Sequence, residues 1–147
     1  MIYTDPTGKG IRVDLGGDGH YGAKRGKKKH RGLDFLCEPG QKVLSPLDSK
    51  FARIALPYED DLQWSGVLLV CGAVAVKIFY LLPDVSLQGT WVQQGQVIGI
   101  AQDIREKYRP KDPGKPFHMR PHIHLELSID GKRVNPEPFF FGDKHGS

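Results

Sequence analysis

The sequence predicts an all-β protein, a double-layered antiparallel β-sandwich, and three observations carry that reading. Eighteen glycines and eleven prolines cut the 147 residues into short pieces. Those pieces alternate, or run in β-branched and aromatic residues, as strands do. Turn chemistry recurs between them at EPGQ, CGA, QQGQ and IDGK. Taken in order, the strands expected are Gly32–Cys37, Lys42–Ser45 and Lys50–Ala55, then Gly66–Cys71 and Val74–Leu81. The last two make the clearest hairpin, because Gly72 separates two apolar runs in GVLLVCGAVAVKIFYLL. Val97–Ala101 and His122–Ile129 complete the set. A single helical turn is expected from Asp103 to Tyr108, and Tyr108–Pro121 reads as a connection longer than loops usually are unless they serve a site. EPGQKVLSP and QQGQVIGIA each place a Gly-Gln turn before an apolar strand, an echo that two halves of a sandwich can share. Trp64, Trp91 and Phe139, Phe140 and Phe141 read as core or edge packing. The boundaries expected are an N-terminal extension over 1–16, one domain over 17–141 and a tail over 142–147.

A chain of this length hides roughly 68–70% of its unfolded surface on folding, enough for a core without metal or disulfide staples. Hydrophobic residues at 39% and charged residues at 26% belong to a globular protein. No apolar run approaches the ~18 residues of a membrane span. The opening MIYTDPTGKG has no basic head followed by an apolar stretch, so either a cytosolic start or a removed leader is expected. Net charge is +4, and residues 1–32 hold eight basic side chains against three acidic ones. That local excess of +5, centred on Lys24, Arg25, Lys27, Lys28 and Lys29, invites an anionic partner; a solvated loop is the alternative. Nucleic acid is disfavoured as that partner, because KRGKKKHR has no aromatic stacking set beside it. Cys37 and Cys71 both lie in apolar stretches, where buried free thiols are the commoner outcome and a single mutual disulfide is the alternative.

The most informative segment is PHIHLEL. On a strand, His122, His124 and Glu126 share one face and Ile123, Leu125 and Leu127 the other. Two imidazoles and a carboxylate behind a wholly apolar face need partners wherever water is excluded, and a metal ion supplies one. A second cluster is HRGLDF, in which His30 and Asp34 lie four apart at the entry to a strand. Asp34 runs into apolar neighbours, where a lone carboxylate is costly without a cation or donors. His30, Asp34 and one histidine of the His122/His124 pair make the three-ligand set of an open catalytic zinc site. Imidazole favours zinc over the harder calcium and magnesium, with iron the competing assignment. Such an ion polarises a carbonyl and acidifies water, the chemistry of amide hydrolysis.

HRGLDF and PHIHLEL together resemble the HxxxD and HxH signatures of the lysostaphin/LytM-type zinc endopeptidases, which cut peptide cross-links of bacterial cell walls. GHYGAKRG, PGQKVLSP and GTWVQQGQVIGIA follow that family's order, so the resemblance spans roughly residues 17–136. It implies a sandwich of the duplicated hybrid motif type with a zinc groove, a Zn2+ ion on His30, Asp34 and His124, and His122 as the catalytic histidine beside it. It also implies peptidoglycan peptide as substrate, with anionic wall polymer as a further partner, for a cytoplasmic or phage-encoded protein delivered to the wall. The family's Tyr-x-His element reads Tyr80-Leu81-Leu82 here, so Leu82 is expected to remove a donor from the site. His20, His118 and Tyr80 are the candidates to replace it, with His20 ahead because its segment precedes HRGLD. Around HRGLDFLC and VKIFYLLP the chain is also similar to leukocyte cell-derived chemotaxin, a zinc-binding protein with a non-histidine at the same element. With two cysteines in place of that protein's full disulfide framework, a bacterial or phage origin is expected. A catalytically degenerate zinc-binding module is the alternative to an active peptidase. A biotinyl or lipoyl carrier is excluded by the lack of an acceptor lysine at a tight turn in VSLQGTWVQQGQVIGIA.

Overall fold

A computed structural model describes residues 2–14, 17–25, 28–117 and 119–142; Lys27, His118 and the tail 143–147 lie outside the described residues. The strands run β1 Val13–Asp14, β2 Gly17–Asp18, β3 Lys24–Arg25, β4 Lys28–Lys29, β5 Leu33–Leu36, β6 Lys42–Leu44 and β7 Ser49–Ala55. They continue with β8 Gly66–Cys71, β9 Val74–Phe79, β10 Leu81–Pro83, β11 Trp91–Val92, β12 Val97–Ala101, β13 His122–Ile129 and β14 Lys132–Val134, and close on a short helix, α1, Glu137–Phe141. All pairings are antiparallel. The main sheet has the order β11-β7-β8-β9-β13-β14, with β5 on the same edge of β13 as β14, and a smaller sheet has the order β10-β12-β6.

The core lies between these two sheets. Phe51, Val67, Leu69, Val76, Ile78, Leu125 and Leu127 of the large sheet meet Val43, Leu81, Ile98 and Ala101 of the small one. β13 shows why the pattern works: Ile123, Leu125 and Leu127 are fully buried, and a register slip of one residue would turn all three out of the core and the histidine face into it. The strand expected over Val74–Leu81 is interrupted at Tyr80, where φ is 75°. Across that break the chain leaves the large sheet as β9 and enters the small one as β10. The helical turn expected after Asp103 is a 3-10 turn over Ile104–Glu106, capped by the Asp103 carboxylate.

Several smaller features complete the domain. Residues 2–14, read as an extension, are hydrogen-bonded into the domain through Tyr3 to Phe139, Thr4 to Pro46 and Leu36 to Gly10, with Ile11 bridging Phe35. Trp64 is buried, whereas Trp91 is exposed on the edge strand β11. The closing phenylalanines form α1, which buries Phe140 against Phe35. Both cysteines are free thiols, Cys37 buried and Cys71 half-buried. Among the described residues no helix is long and apolar enough to cross a membrane.

Candidate metal centre

Sheet register builds the site. β5 and β13 pair so that Asp34 stands directly opposite His124, which puts both side chains on one face. His30 arrives from the preceding loop, held by its N–H donating to Ala23 and by the Gly22 N–H donating to its carbonyl. His30 Nε2 lies 3.1 Å from His124 Nδ1 and 3.2 Å from Asp34 Oδ1, and His124 Nδ1 lies 2.9 Å from the same carboxylate oxygen. Three donor atoms thus form a near-equilateral triangle at the bottom of a pocket of about 400 Å³, lined also by Arg12, Arg25, Tyr80, Tyr108, Met119 and His122. Among the described residues these three are the one group able to hold a metal ion in this way.

The donor set fits a transition metal. Tetrahedral ligands at the ~2.0–2.1 Å bond lengths of zinc to nitrogen and oxygen sit roughly 3.3 Å apart, close to the observed sides. Two imidazole nitrogens that face each other and share a carboxylate oxygen require a proton or a cation between them. Each ring is also fixed from behind. His30 Nδ1–H donates to the His20 carbonyl at 2.9 Å, and His124 Nε2–H donates to Glu126 at 3.0 Å. Those bonds turn the remaining nitrogen of each ring toward the triangle, the arrangement that metal-ligating histidines share. Glu126, singled out in the sequence only as part of the polar face, is in turn held by Arg133 at 3.1 Å.

Electrostatics follow from this packing. Burial works against the Asp34 carboxylate, but hydrogen bonds from His124 and His30 outweigh it and hold the group well below the usual carboxylate range. Burial likewise works against a charged His124, yet its bonds to Asp34 and Glu126 prevail and push it up to about 9. His122 behaves the other way: burial dominates and lowers it, so the ring is neutral at pH 7. Its Nδ1–H donates to the Arg120 carbonyl at 2.9 Å, leaving Nε2 3.7 Å from Asp34 Oδ2. Burial pushes the Tyr80 phenol up to about 12, and its oxygen shares a 2.9 Å hydrogen bond with Tyr58, which shares another with Tyr108.

The structure gathers His30, Asp34, His122, His124 and Tyr80 into one pocket, and neither the His20 ring nor Leu82 lines it. The His20 ring does not line it; the Asp18 carboxylate, two residues back, captures that ring at 2.5 Å, and only the His20 carbonyl serves the site. Leu82 is 56% exposed on the small sheet, opposite Ile100, because the break at Tyr80 carries the chain away before Leu82 is reached. The absence of an imidazole at Leu82 therefore removes nothing from this pocket. The side chain that reaches it from this crossover is Tyr80.

The sequence and the fold are similar to those of known proteins. No family model matches the chain. Leukocyte cell-derived chemotaxin-2 of Bos taurus is 31% identical over 111 residues, covering 75% of this chain and 67% of that protein. A zinc containing peptidase from Vibrio cholerae superposes with a TM-score of 0.63 at 19% identity, over 92% of this chain and 39% of the other. The catalytic domain of the antimicrobial peptidase lysostaphin from Staphylococcus simulans gives 0.59 at 19% identity, over 82% and 87%. The fold is thus that of a peptidase of the lysostaphin type, and the chain spans well under half of the Vibrio protein's length. The chain belongs to the family of leukocyte cell-derived chemotaxin-2. The Mus musculus chemotaxin-2 is 30% identical over 114 residues, covering 77% of this chain and 69% of that protein.

Proposed function

We propose that the protein is a zinc endopeptidase acting on peptide cross-links of bacterial cell-wall peptidoglycan, with the ion held by His30, Asp34 and His124. The observation that carries this reading is the 2.9–3.2 Å triangle of donor atoms with a neutral imidazole beside it in the same pocket. When bound, zinc supplies Lewis acidity, polarising a peptide carbonyl and acidifying water. The chain supplies the rest. His122 has its Nδ1–H fixed on a backbone carbonyl, so Nε2 is free to accept the proton of the attacking water and to return it to the leaving amine. Tyr80 stays protonated at neutral pH, and its hydroxyl is placed to donate to the carbonyl oxygen as negative charge develops there. Lys24, Arg25, Lys28 and Lys29 form the short ribbon β3–β4 next to His30, a surface suited to anionic wall polymer.

Purified protein should carry about one zinc per chain by elemental analysis and clear suspensions of purified walls. His122→Ala should keep the metal and lose on the order of 100–10,000-fold in clearing rate. A chain that binds no zinc would overturn the reading. A second reading, a zinc-binding module without turnover, is favoured by one observation: of the two groups beside the cluster, one is a phenol pushed up to about 12, which cannot exchange protons at neutral pH and leaves His122 alone to do so. Zinc-loaded protein that binds wall peptides and leaves walls intact would select it.

A further inference from the structure

Arg12 entered the sequence reading as one of eight basic residues near the N-terminus, yet its side chain is 3% exposed. A guanidinium taken out of water is costly unless its charge and its donors are matched, and here both are. Nε and Nη2 grip Asp14 at 2.8 and 3.1 Å, a two-pronged pair, and Nη1 reaches Asp34 Oδ2 at 3.1 Å. The last contact sorts the two oxygens of Asp34. Oδ2 is committed to the guanidinium, so Oδ1 is the oxygen presented to His30 and His124. Asp14 extends the connection in the other direction. Its Oδ2 accepts the Arg120 N–H at 2.8 Å, and the carbonyl of Arg120 is the group that fixes His122 Nδ1–H. A set of contacts therefore links Asp34 through Arg12, Asp14 and the backbone of Arg120 to His122.

We propose that Arg12 and Asp14 are positioning residues that preset both halves of the site at once, the metal-binding oxygen of Asp34 and the tautomer of His122. The proposal rests on the metal centre read above. Its anchor is backbone pairing that brings the segment alongside β5: the Arg12 N–H donates to Asp34 at 2.9 Å, and Ile11 bridges Phe35. The N-terminal residues are on this account part of the functional site and not an appendage to it. A fork is needed at position 12 because one group must satisfy two carboxylates in fixed directions, which a single ammonium does not do.

The test uses Arg12→Lys and Asp14→Asn in the whole chain, with two readouts besides activity. Zinc affinity is measured by competition with a chromogenic chelator, and the His122 tautomer is read in metal-free protein by long-range 1H–15N NMR. Arg12→Lys should retain its circular dichroism spectrum and lose 10–100-fold in zinc affinity, the range for second-layer partners of metal ligands. Asp14→Asn should convert His122 from a single Nδ1–H tautomer to a mixture. Zinc affinity within twofold of the parent in Arg12→Lys, or an unchanged tautomer in Asp14→Asn, overturns the proposal. Should Arg12→Lys not fold, Asp14→Asn decides by both readouts. Should the parent chain bind no zinc, the metal reading falls and the tautomer still decides the clamp.

Discussion

Tyr80 and Asp130 are the two non-glycine residues with positive φ among those described, and a bulky side chain at 75° is held there against its own preference. The restraint is visible. The N–H groups of Tyr80 and Leu81 both donate to the Ser65 carbonyl at 2.8 and 3.1 Å, and the Tyr80 carbonyl accepts from Gln102 at 2.9 Å. The conformation directs the phenol at the cluster, with its ring edge-on to His122 at 5.9 Å. If this hydroxyl stabilises developing charge, Tyr80→Phe should slow wall clearing by about 100–1000-fold while leaving zinc content unchanged. Leu82→His, which alters an exposed position outside the pocket, should change neither rate nor metal content in the same assays. A second residue-scale expectation concerns Cys37, whose thiol burial pushes up to about 12. It is therefore neutral and shielded in the native protein, and mass spectrometry should find Cys37 unmodified by iodoacetamide at pH 8 until denaturant is added.

At the scale of elements, β13 carries the structure on one face and the chemistry on the other. Leu125→Ala empties a fully buried position opposite Ile78 and should cost about 2–5 kcal/mol in a denaturant titration. Gly32, just before β5, probes the other face. A Cβ there would lie 2.4 Å from the Leu125 carbonyl and 2.7 Å from His124 Cε1, so backbone and ligand ring would both have to move. Gly32→Ala should abolish tight zinc binding in the chelator competition, even where circular dichroism shows folded protein. The echo between EPGQ and QQGQ is also an element-scale fact. Gly40 N–H donates to Ala101 and Gly95 N–H to Ser45, while Ala101 N–H returns to Gln41 and Ser45 N–H to Gln96. Each glutamine side chain closes its own turn at 2.9 Å, and the two turns lead into the neighbouring strands β6 and β12. The repetition in sequence is thus a local two-fold at the centre of the small sheet.

For the whole molecule, a metal ion bound as proposed competes with a proton for the same site. In metal-free protein Asp34 is depressed from its ordinary 3.8 and His124 is raised from 6.5 to about 9 by their mutual contact. A depressed acid contributes stability above its unfolded value and loses it as the pH falls through the folded one. A raised base contributes fully below 6.5 and loses its contribution as the pH rises through about 9. Metal-free protein should therefore lose stability from about pH 6.5 to 9 in thermal melts. Zinc must displace the His124 proton, so affinity should rise over that same interval, with proton release visible as buffer-dependent heat in calorimetry. Free zinc at 100 times its Kd should stabilise the fold by about 2.7 kcal/mol, and a chelator should remove that gain.

The sequence by itself determined where β5 to β9, β12 and β13 run to within a few residues, which face of β13 is apolar, and that two imidazoles and a carboxylate share the other, because a period of two is written directly in residue order. It also gave HRGLDF and PHIHLEL as the two parts of one site. Only the tertiary structure decided how the parts meet. Register sets Asp34 against His124, and no local pattern encodes which residue of one strand faces which of another. Leu82 misses the pocket because the strand breaks between sheets at Tyr80, and the His20 ring was lost to a neighbouring carboxylate. Arg12 in IRVD reads as one more surface charge in residue order. Its burial exists only once the segment that holds Arg12 and Asp14 packs against β5, because the second carboxylate that matches its charge, Asp34, comes from a distant part of the chain.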